Sequence, residues 1–328
     1  MFIVTGGAGF IGSNLVAGLN RLDKRNILVV DNLEKGDKFK NLISLDFTDF
    51  QDKEEFRHSL SHGHFDSLKV DAIFHQGACS DTMEYNGRYM MDNNYNYSKE
   101  LLHFAMEQKI PFIYASSAAV YGNSQEFTED PNNENPLNVY GYSKLLFDRF
   151  VEQCLPAIPK KMPVMGLRYF NVYGPGENHK GRMASMVHQL YHQLKQTGIT
   201  RLFAGSGGYA NGEQRRDFIS VDDVVKINLY LAGLGIDNEK ASRWKAAKGV
   251  VNVGTGASRS FNDIANTLIH LLGKGEIQYT PMPEGLIQKY QNFTQANITL
   301  LHTAGYKAPF ASLEEGIASF VKAIQEKE

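Results

Sequence analysis

Cysteine is nearly absent, with only Cys79 and Cys154 in 328 residues. A disulfide framework needs more, and neither cysteine sits in the C-x-x-C or Cys/His spacing of a zinc site. No metal is therefore expected. Long apolar runs are missing too, so no segment reads as a membrane span. The start, Met1-Phe2-Ile3-Val4-Thr5-Gly6, runs straight into a turn and lacks the basic residues and longer apolar stretch of a secretory leader. A cytoplasmic protein is the expectation. An excess of one charge is also lacking, because 34 Lys+Arg stand against 36 Asp+Glu for a net charge of -2. A surface that tracks a nucleic-acid backbone carries a basic excess. Nucleic acid and membranes are thus not expected partners, and local basic clusters suit a small phosphorylated ligand better.

What is present is enough apolar material, 42% of residues, for a large core or two fused lobes. Short β-branched runs at 2–5, 27–31, 72–75, 112–116 and 164–169 alternate with helical patterns at 11–21, 52–60, 93–108 and 140–153. That alternation predicts parallel βαβ units. Past Asn171 the rhythm loosens into glycine-rich turns, with a helix expected at 222–231 and a strand at 250–253. The expected fold is α/β, a Rossmann-like doubly wound parallel sheet followed by a smaller, loop-rich C-terminal α/β lobe. The division falls at 1–170 and 171–328, with parts of 218–256 folding back onto the first sheet.

Thr5-Gly6-Gly7-Ala8-Gly9-Phe10-Ile11-Gly12 follows the first strand and opens the first helix. Gly6 permits the tight turn, Gly9 lets a pyrophosphate reach the backbone, and Gly12 lets helix and strand pack closely. Asp31 ends the next strand, where a carboxylate accepts from a ribose 2′-hydroxyl and favours NAD. Asn32 follows it, and Lys35, Lys38, Lys40 and Lys53 lie close in sequence, able to meet a 2′-phosphate or to form an ordinary solvated face. On these residues alone NAD and NADP stand level.

Tyr140-Gly141-Tyr142-Ser143-Lys144 places a phenol and an ammonium four apart on one helical face. A neighbouring ammonium and a nicotinamide cation both favour phenolate, bringing the tyrosine toward its working range as an acid/base. Ser117 follows the strand expected at 112–116, at the carboxyl edge of the sheet where such folds bind ligands, and its hydroxyl can orient a substrate oxygen. Ser117, Tyr140 and Lys144 together describe an alcohol/ketone hydride-transfer site, with redox supplied by a cofactor.

The glycine spacing G-x-x-G-x-x-G with these three residues resembles the extended short-chain dehydrogenase/reductase family. Arg168-Tyr169-Phe170-Asn171-Val172-Tyr173-Gly174-Pro175, Arg216-Asp217-Phe218-Ile219 and Val251-Asn252-Val253-Gly254-Thr255-Gly256 are similar to its nucleotide-sugar epimerase and dehydratase branch. Four further segments narrow the likeness to epimerases that act at C6 of an ADP-linked heptose for the lipopolysaccharide inner core. They are Tyr89-Met90-Met91-Asp92-Asn93-Asn94-Tyr95, Pro136-Leu137-Asn138-Val139-Tyr140, Gly176-Glu177-Asn178-His179-Lys180-Gly181 and 290–296.

That resemblance implies NADP as cofactor, an ADP-heptose as substrate and a homo-oligomer, with a pentamer as the candidate assembly. It implies cofactor contacts at Phe10, Ile11, Asp31, Asn32, Lys38, Lys53, Gln76, Gly77, Ala78, Cys79, Ser80, Asn93, Tyr140, Lys144, Val172 and Lys180. It makes Lys180 a second acid/base, useful because inversion presents opposite faces of a transient carbonyl to one nicotinamide. The other reading of Lys180 is a solvated or phosphate-binding loop lysine. Substrate contacts are expected at Ser117, Asn171, Phe203, Ala204, Gly205, Ser206, Arg216 and Tyr290, and at Arg182, which departs from the small hydroxyl residue expected there. The 4,6-dehydratases of the branch carry Asp-Glu where this chain has Ala118-Ala119, so elimination lacks its acid and base. A UDP-galactose 4-epimerase-like enzyme and a non-catalytic NAD(P)-binding regulator remain the rival readings.

Overall fold

The structure, a computed structural model, describes residues 1–235, 248–287 and 290–326; part of the stretch expected to fold back, 236–247, lies outside them. Seven parallel strands form the main sheet in the order β10-β6-β5-β4-β1-β2-β3. They are β1 (Phe2–Thr5), β2 (Ile27–Asp31), β3 (Asp49–Asp52), β4 (Ala72–His75), β5 (Phe112–Ser117), β6 (Val164–Tyr169) and β10 (Lys248–Val253). The inner strands are apolar throughout because both faces are covered, and every residue of β1, β2, β4 and β6 is buried. β3 escapes a sequence reading because Asp-Phe-Gln-Asp at a half-exposed sheet edge shows neither an apolar run nor strict alternation.

Helices α1 (Phe10–Arg21) and α7 (Val221–Leu231) cover one face. Their contact is close because Gly18 of α1 leaves room for Val225 of α7. Helices α4 (Tyr97–Gln108) and α5 (Val139–Cys154) cover the other, over an aromatic-rich core of Phe56, Tyr97, Phe112, Tyr114 and Phe147. The helix expected at 93–108 is in fact preceded by α3 (Gly87–Met91) and one π-helical turn at Asp92–Asn96. β1 lies between β4 and β2, so the connections reverse direction at that point and open a crevice beyond the strands' carboxyl ends.

The later part of the chain is more regular than its glycine content predicted. Helices α6 (Met186–Thr197), Phe261–Leu272 and Leu313–Gln325 share a core of Val187, Leu190, Leu194, Ile264, Leu268, Ile317 and Phe320. Ser260 with Asp263, and Ser312 with Glu315, form reciprocal capping boxes that start two of these helices. The glycines mark turns before and between them, with Gly176, Gly207 and Gly208 at φ of 100, 57 and 84°. β7 (Asn171–Tyr173), β9 (Arg215–Ser220) and β11 (Ser258–Ser260) form a second sheet, and β8 (Ile199–Phe203) pairs with β12 (Glu276–Thr280). No helix among the described residues is long and apolar enough to cross a membrane.

Candidate active site

The crevice at the β1/β4 reversal is a cleft of about 560 Å³. Its wall brings together Gly6, Gly9, Phe10, Ile11, Gly12, Asp31, Asn32, Lys38, Lys53, Gln76, Gly77, Ala78, Cys79, Ser80, Asn93 and Lys180 from six separate stretches of chain. Gly6 holds φ at 65°, and a Cβ there would lie 2.7 Å from the backbone nitrogen of Gly77. A side chain at Gly12 would strike the carbonyl of Gly6. α1 begins at Gly9 with no side-chain cap and no acidic residue in its first turn, so its free N–H groups and dipole favour an anion. These features fit the diphosphate of a dinucleotide.

At the far end of the cleft Asp31 is fully engaged. Its Oδ2 accepts from Ala8 N at 2.9 Å, and its Oδ1 accepts from Lys38 Nζ at 2.7 Å. Lys38 also donates to Asn32 O and Oδ1 at 2.8 and 2.9 Å. The carboxylate is therefore neutralised by a cation that is only 15% exposed. Lys53 Nζ donates to Asn93 Oδ1 at 2.7 Å and brings a second ammonium to the wall.

The reacting groups stand apart from this wall, since Ser117, Tyr140, Lys144, Asn171 and Val172 do not line the cleft. α5 is started by Asn138, whose side chain accepts from Gly141 N at 2.8 Å. That cap sets Tyr140 and Lys144 one turn apart against the end of β5. Tyr140 and Ser117 share a side-chain hydrogen bond, while Lys144 Nζ donates to Ala115 O at 2.9 Å. Burial pushes the Tyr140 phenol up, and the Ser117 bond pulls it down only in part. This departs from the expected lowering by Lys144. The ammonium itself is strained by burial, which draws Lys144 down to about 8. Ser116 turns the other way and donates to Asp148 Oδ2 at 2.8 Å.

A buried polar chain, not foreseen from sequence, joins the cleft to α5. Gly77 N donates to Thr5 Oγ1, which lies 2.6 Å from His75 Nδ1, and His75 Nε2 lies 2.8 Å from Ser98 Oγ. Ser98 spends its proton on Asn94 O at 2.7 Å, so Nε2–H donates to it, while Thr5 Oγ1, already accepting from Gly77 N, has its own proton for Nδ1, the arrangement of a neutral ring. Burial agrees, holding His75 well below its ordinary value. Asn94, in the π-helical turn, binds Cys79 O and N at 2.9 and 2.7 Å and donates to Ser143 Oγ at 3.0 Å. Ser143 then donates to Tyr140 O at 2.7 Å. One side chain thus fixes the cleft loop against the tyrosine's own helix.

Lys180 reaches the cleft from the loop after β7, 4.9 Å over the ring of Phe10. Its partner is Glu177, fully buried, at 3.2 Å. Glu177 is anchored by Ser185 N and Oγ at 2.7 and 2.6 Å. Arg182 also lines the cleft and pairs with Asp81 at 3.3 Å across its mouth.

Phe203, Ala204, Gly205, Ser206, Arg216 and Tyr290 gather in a second cluster. Phe203 and Tyr290 meet edge-on at 5.9 Å, and Arg216 lies 5.1 Å over Tyr290. Gln214 Nε2 ties Ala204 O and Ser206 Oγ together at 2.8 and 3.0 Å. Gly205 N donates to Asn211 Oδ1 at 2.9 Å. Arg216 is 8% exposed, and no carboxylate lies within ion-pair distance among the described residues. A buried guanidinium left to backbone carbonyls is suited to an anionic ligand. Gln291 links this cluster to the catalytic edge, accepting from Arg216 and donating to Gly122 O in the turn after β5. Its position beside Tyr290 in sequence was the available signal.

Residues 2–254 match the family described as NAD dependent epimerase/dehydratase. An ADP-L-glycero-D-manno-heptose-6-epimerase of Alkalilimnicola ehrlichii is 49% identical, over 99% of this chain and 97% of that protein. The crystal structure of a Helicobacter pylori enzyme of the same name is 36% identical with a TM-score of 0.82, covering 99% of this chain and 96% of that one. A UDP-glucose 4-epimerase from Thermotoga maritima follows at 28% identity and a TM-score of 0.78, covering 99% of each chain. The α/β architecture, the glycine-lined cleft and these likenesses agree, and the chain belongs to the NAD dependent epimerase/dehydratase family of nicotinamide-using enzymes.

Proposed function

We propose that this chain inverts C6 of ADP-D-glycero-β-D-manno-heptose, through a transient 6-ketone, with bound NADP, on the route to the lipopolysaccharide inner core. The observation that carries the reading is the Ser117–Tyr140–Lys144 group held by Asn94 against a glycine-lined nucleotide cleft. The names of two relatives supply the substrate. A nicotinamide dinucleotide held by the glycine-lined cleft would supply reversible hydride transfer at C6, so no external reductant would be consumed.

The protein's part is proton handling and orientation. Tyr140 Oη exchanges the proton of the C6 hydroxyl, and Ser117 Oγ orients that oxygen. Lys144 places a cation behind the phenol, which favours phenolate as the proton leaves. Lys180 serves as proton partner for the other orientation of the ketone, its Nζ held by Glu177 at 3.2 Å. Arg216, without a carboxylate partner among the described residues, suits the substrate diphosphate. NADP is supported over NAD because Lys38 cancels the charge of Asp31 and Lys53, paired on its outer side with the exposed Glu54 at 2.9 Å, brings a second ammonium to the wall.

The test is to supply ADP-D-glycero-D-manno-heptose without added reductant and follow C6 by NMR. Epimerisation to the L-glycero form is expected. An unchanged heptose, with UDP-galactose interconverted instead, would overturn the assignment. The same assay on Lys180→Met separates acid/base work, which stops inversion, from phosphate binding, which leaves turnover at saturating substrate.

A further inference from the structure

Glu177 is a fully buried carboxylate in the loop that carries Lys180 into the cleft. The loop is tied down at both ends. Asn14 Nδ2 donates to Pro175 O at 2.9 Å and Asn41 Nδ2 to Gly176 O at 3.1 Å, fixing its start against α1 and the turn that bears Lys38. Its far end enters α6 through Ser185, the N-cap of that helix. Glu177 joins the two ends. Its Oε1 accepts from Ser185 Oγ at 2.6 Å and Gly174 N at 3.4 Å, and its Oε2 from Ser185 N at 2.7 Å and Lys180 Nζ at 3.2 Å.

Lys180 N also donates to Glu177 O at 2.9 Å, closing a 3₁₀ turn in which side chains three apart lie over each other. Nζ is therefore fixed from two sides, by the carboxylate and by the ring of Phe10 at 4.9 Å. A free lysine spreads over many rotamers, and a proton donor that wanders loses the geometry transfer needs. One N–H of the ammonium goes to Glu177, which leaves two for a ligand in the cleft. A solvated loop lysine needs no such partner, and burying a carboxylate to hold one is costly.

We infer that Glu177 is a positioning residue, which braces Lys180 Nζ on the start of α6 and so keeps it in the cleft as a proton partner. The inference rests on the reading of Lys180 as the second acid/base. The two proton partners are then mounted on different cores. Tyr140 stands on α5, which packs on the main sheet through Phe147 and Val151. Lys180 hangs from α6, which packs among the C-terminal helices through Val187, Leu190 and Leu194.

The experiment compares wild type, Glu177→Gln and Lys180→Met. Epimerisation of the ADP-heptose gives kcat and KM, and calorimetry gives the affinity for NADP+. NMR of the lysine ammonium groups follows Lys180 without substrate, its signal assigned by its loss in Lys180→Met. Glu177→Gln is expected to lose or displace that signal and to lower kcat at least about tenfold. KM and NADP+ affinity should stay within about twofold of wild type. An unchanged signal, its absence from wild type, or an unchanged kcat overturns the inference. So does a fall in kcat matched by weaker NADP+ binding, which marks a carboxylate that only holds the fold. Should Glu177→Gln fail to fold, Ser185→Gly decides, since it frees Oε1 of its hydroxyl while glycine still caps α6. A displaced signal and a kcat about threefold lower are then expected, and neither changing overturns the inference. A Lys180→Met that turns over at the wild-type rate removes the acid/base reading itself, before any Glu177 variant is made.

Discussion

Two buried cations lie near Asp148, and they are treated in opposite ways. Arg168, on β6, has a side chain 1% exposed and is held by Asp148 at 3.0 Å, Glu134 at 2.5 Å and Tyr121 at 3.2 Å. Its carboxylate partners push its pKa up despite burial. Lys144, on α5, is 4% exposed and donates to the Ala115 carbonyl, with no ion pair among the described residues. Burial draws it down to about 8. Asp148 is the hinge of the contrast. It lies one turn beyond Lys144 on the face of α5 that carries Tyr140, but its oxygens are committed to Arg168, Ser116 and Tyr114. A cation given two carboxylates is structure, whereas one denied them is held near a pKa at which its charge can follow chemistry.

The largest expected effect tests the paired cation. Arg168→Met leaves Asp148 buried without its cation and Glu134 with only the longer pair to Arg149 at 3.4 Å, and breaking a buried pair in this way typically costs about 3–5 kcal/mol. Denaturant unfolding should show a midpoint shift of that size with an unchanged slope. A loss below about 1 kcal/mol would mean that the two cations are not treated differently after all.

Lys144→Met should have the opposite sign. A folded-state value near 8, below the value near 10.4 of an unfolded lysine, means that the unfolded chain binds the proton more readily between those two pH values. Stability therefore rises with pH through about 8 to 10, and the whole penalty is present below 8. Removing the ammonium should stabilise the fold by about 2 kcal/mol at pH 7, while turnover is lost. The gain should shrink as the pH approaches 10. A variant less stable than wild type at pH 7 would show that Lys144 is a structural cation like Arg168.

Much of the site could be read from sequence where its chemistry is local. The glycine loop, Asp31 and the Tyr140–Lys144 pair are set by contiguous spacing on single elements, so their placement follows from strand and helix periods. The Arg168 cluster could not be read in this way, because Glu134, Asp148 and Arg168 come from a loop, a helix and a strand that meet only in the fold. Asn94 was hidden by the π-helical turn at Asp92–Asn96, which alters the helical register that a period of 3.6 assumes. In the C-terminal lobe the glycine turns drew attention from amphipathic helices whose capping boxes at Ser260 and Ser312 were readable all along. The tyrosine's phenol was expected to fall under the influence of Lys144. It rises instead because burial outweighs the one hydrogen bond from Ser117.

The smallest effect is the sharpest test of the contrast. Asp148 is the charge that most supports Lys144 against burial, although no hydrogen bond joins them. Asp148→Asn keeps the side chain's shape, and its amide oxygen can still accept from Ser116 or Tyr114. Arg168 keeps Glu134 at 2.5 Å, so the fold should survive. What changes is the field at Lys144, whose pKa should fall further by less than about one unit. If the reaction needs the ammonium, the alkaline limb of the kcat profile moves to lower pH by that amount, while the maximal rate changes little. A limb that stays in place while the rate falls uniformly would assign Asp148 to packing alone. It would also leave Lys144's low pKa to burial, with no electrostatic share in the clamp on Arg168.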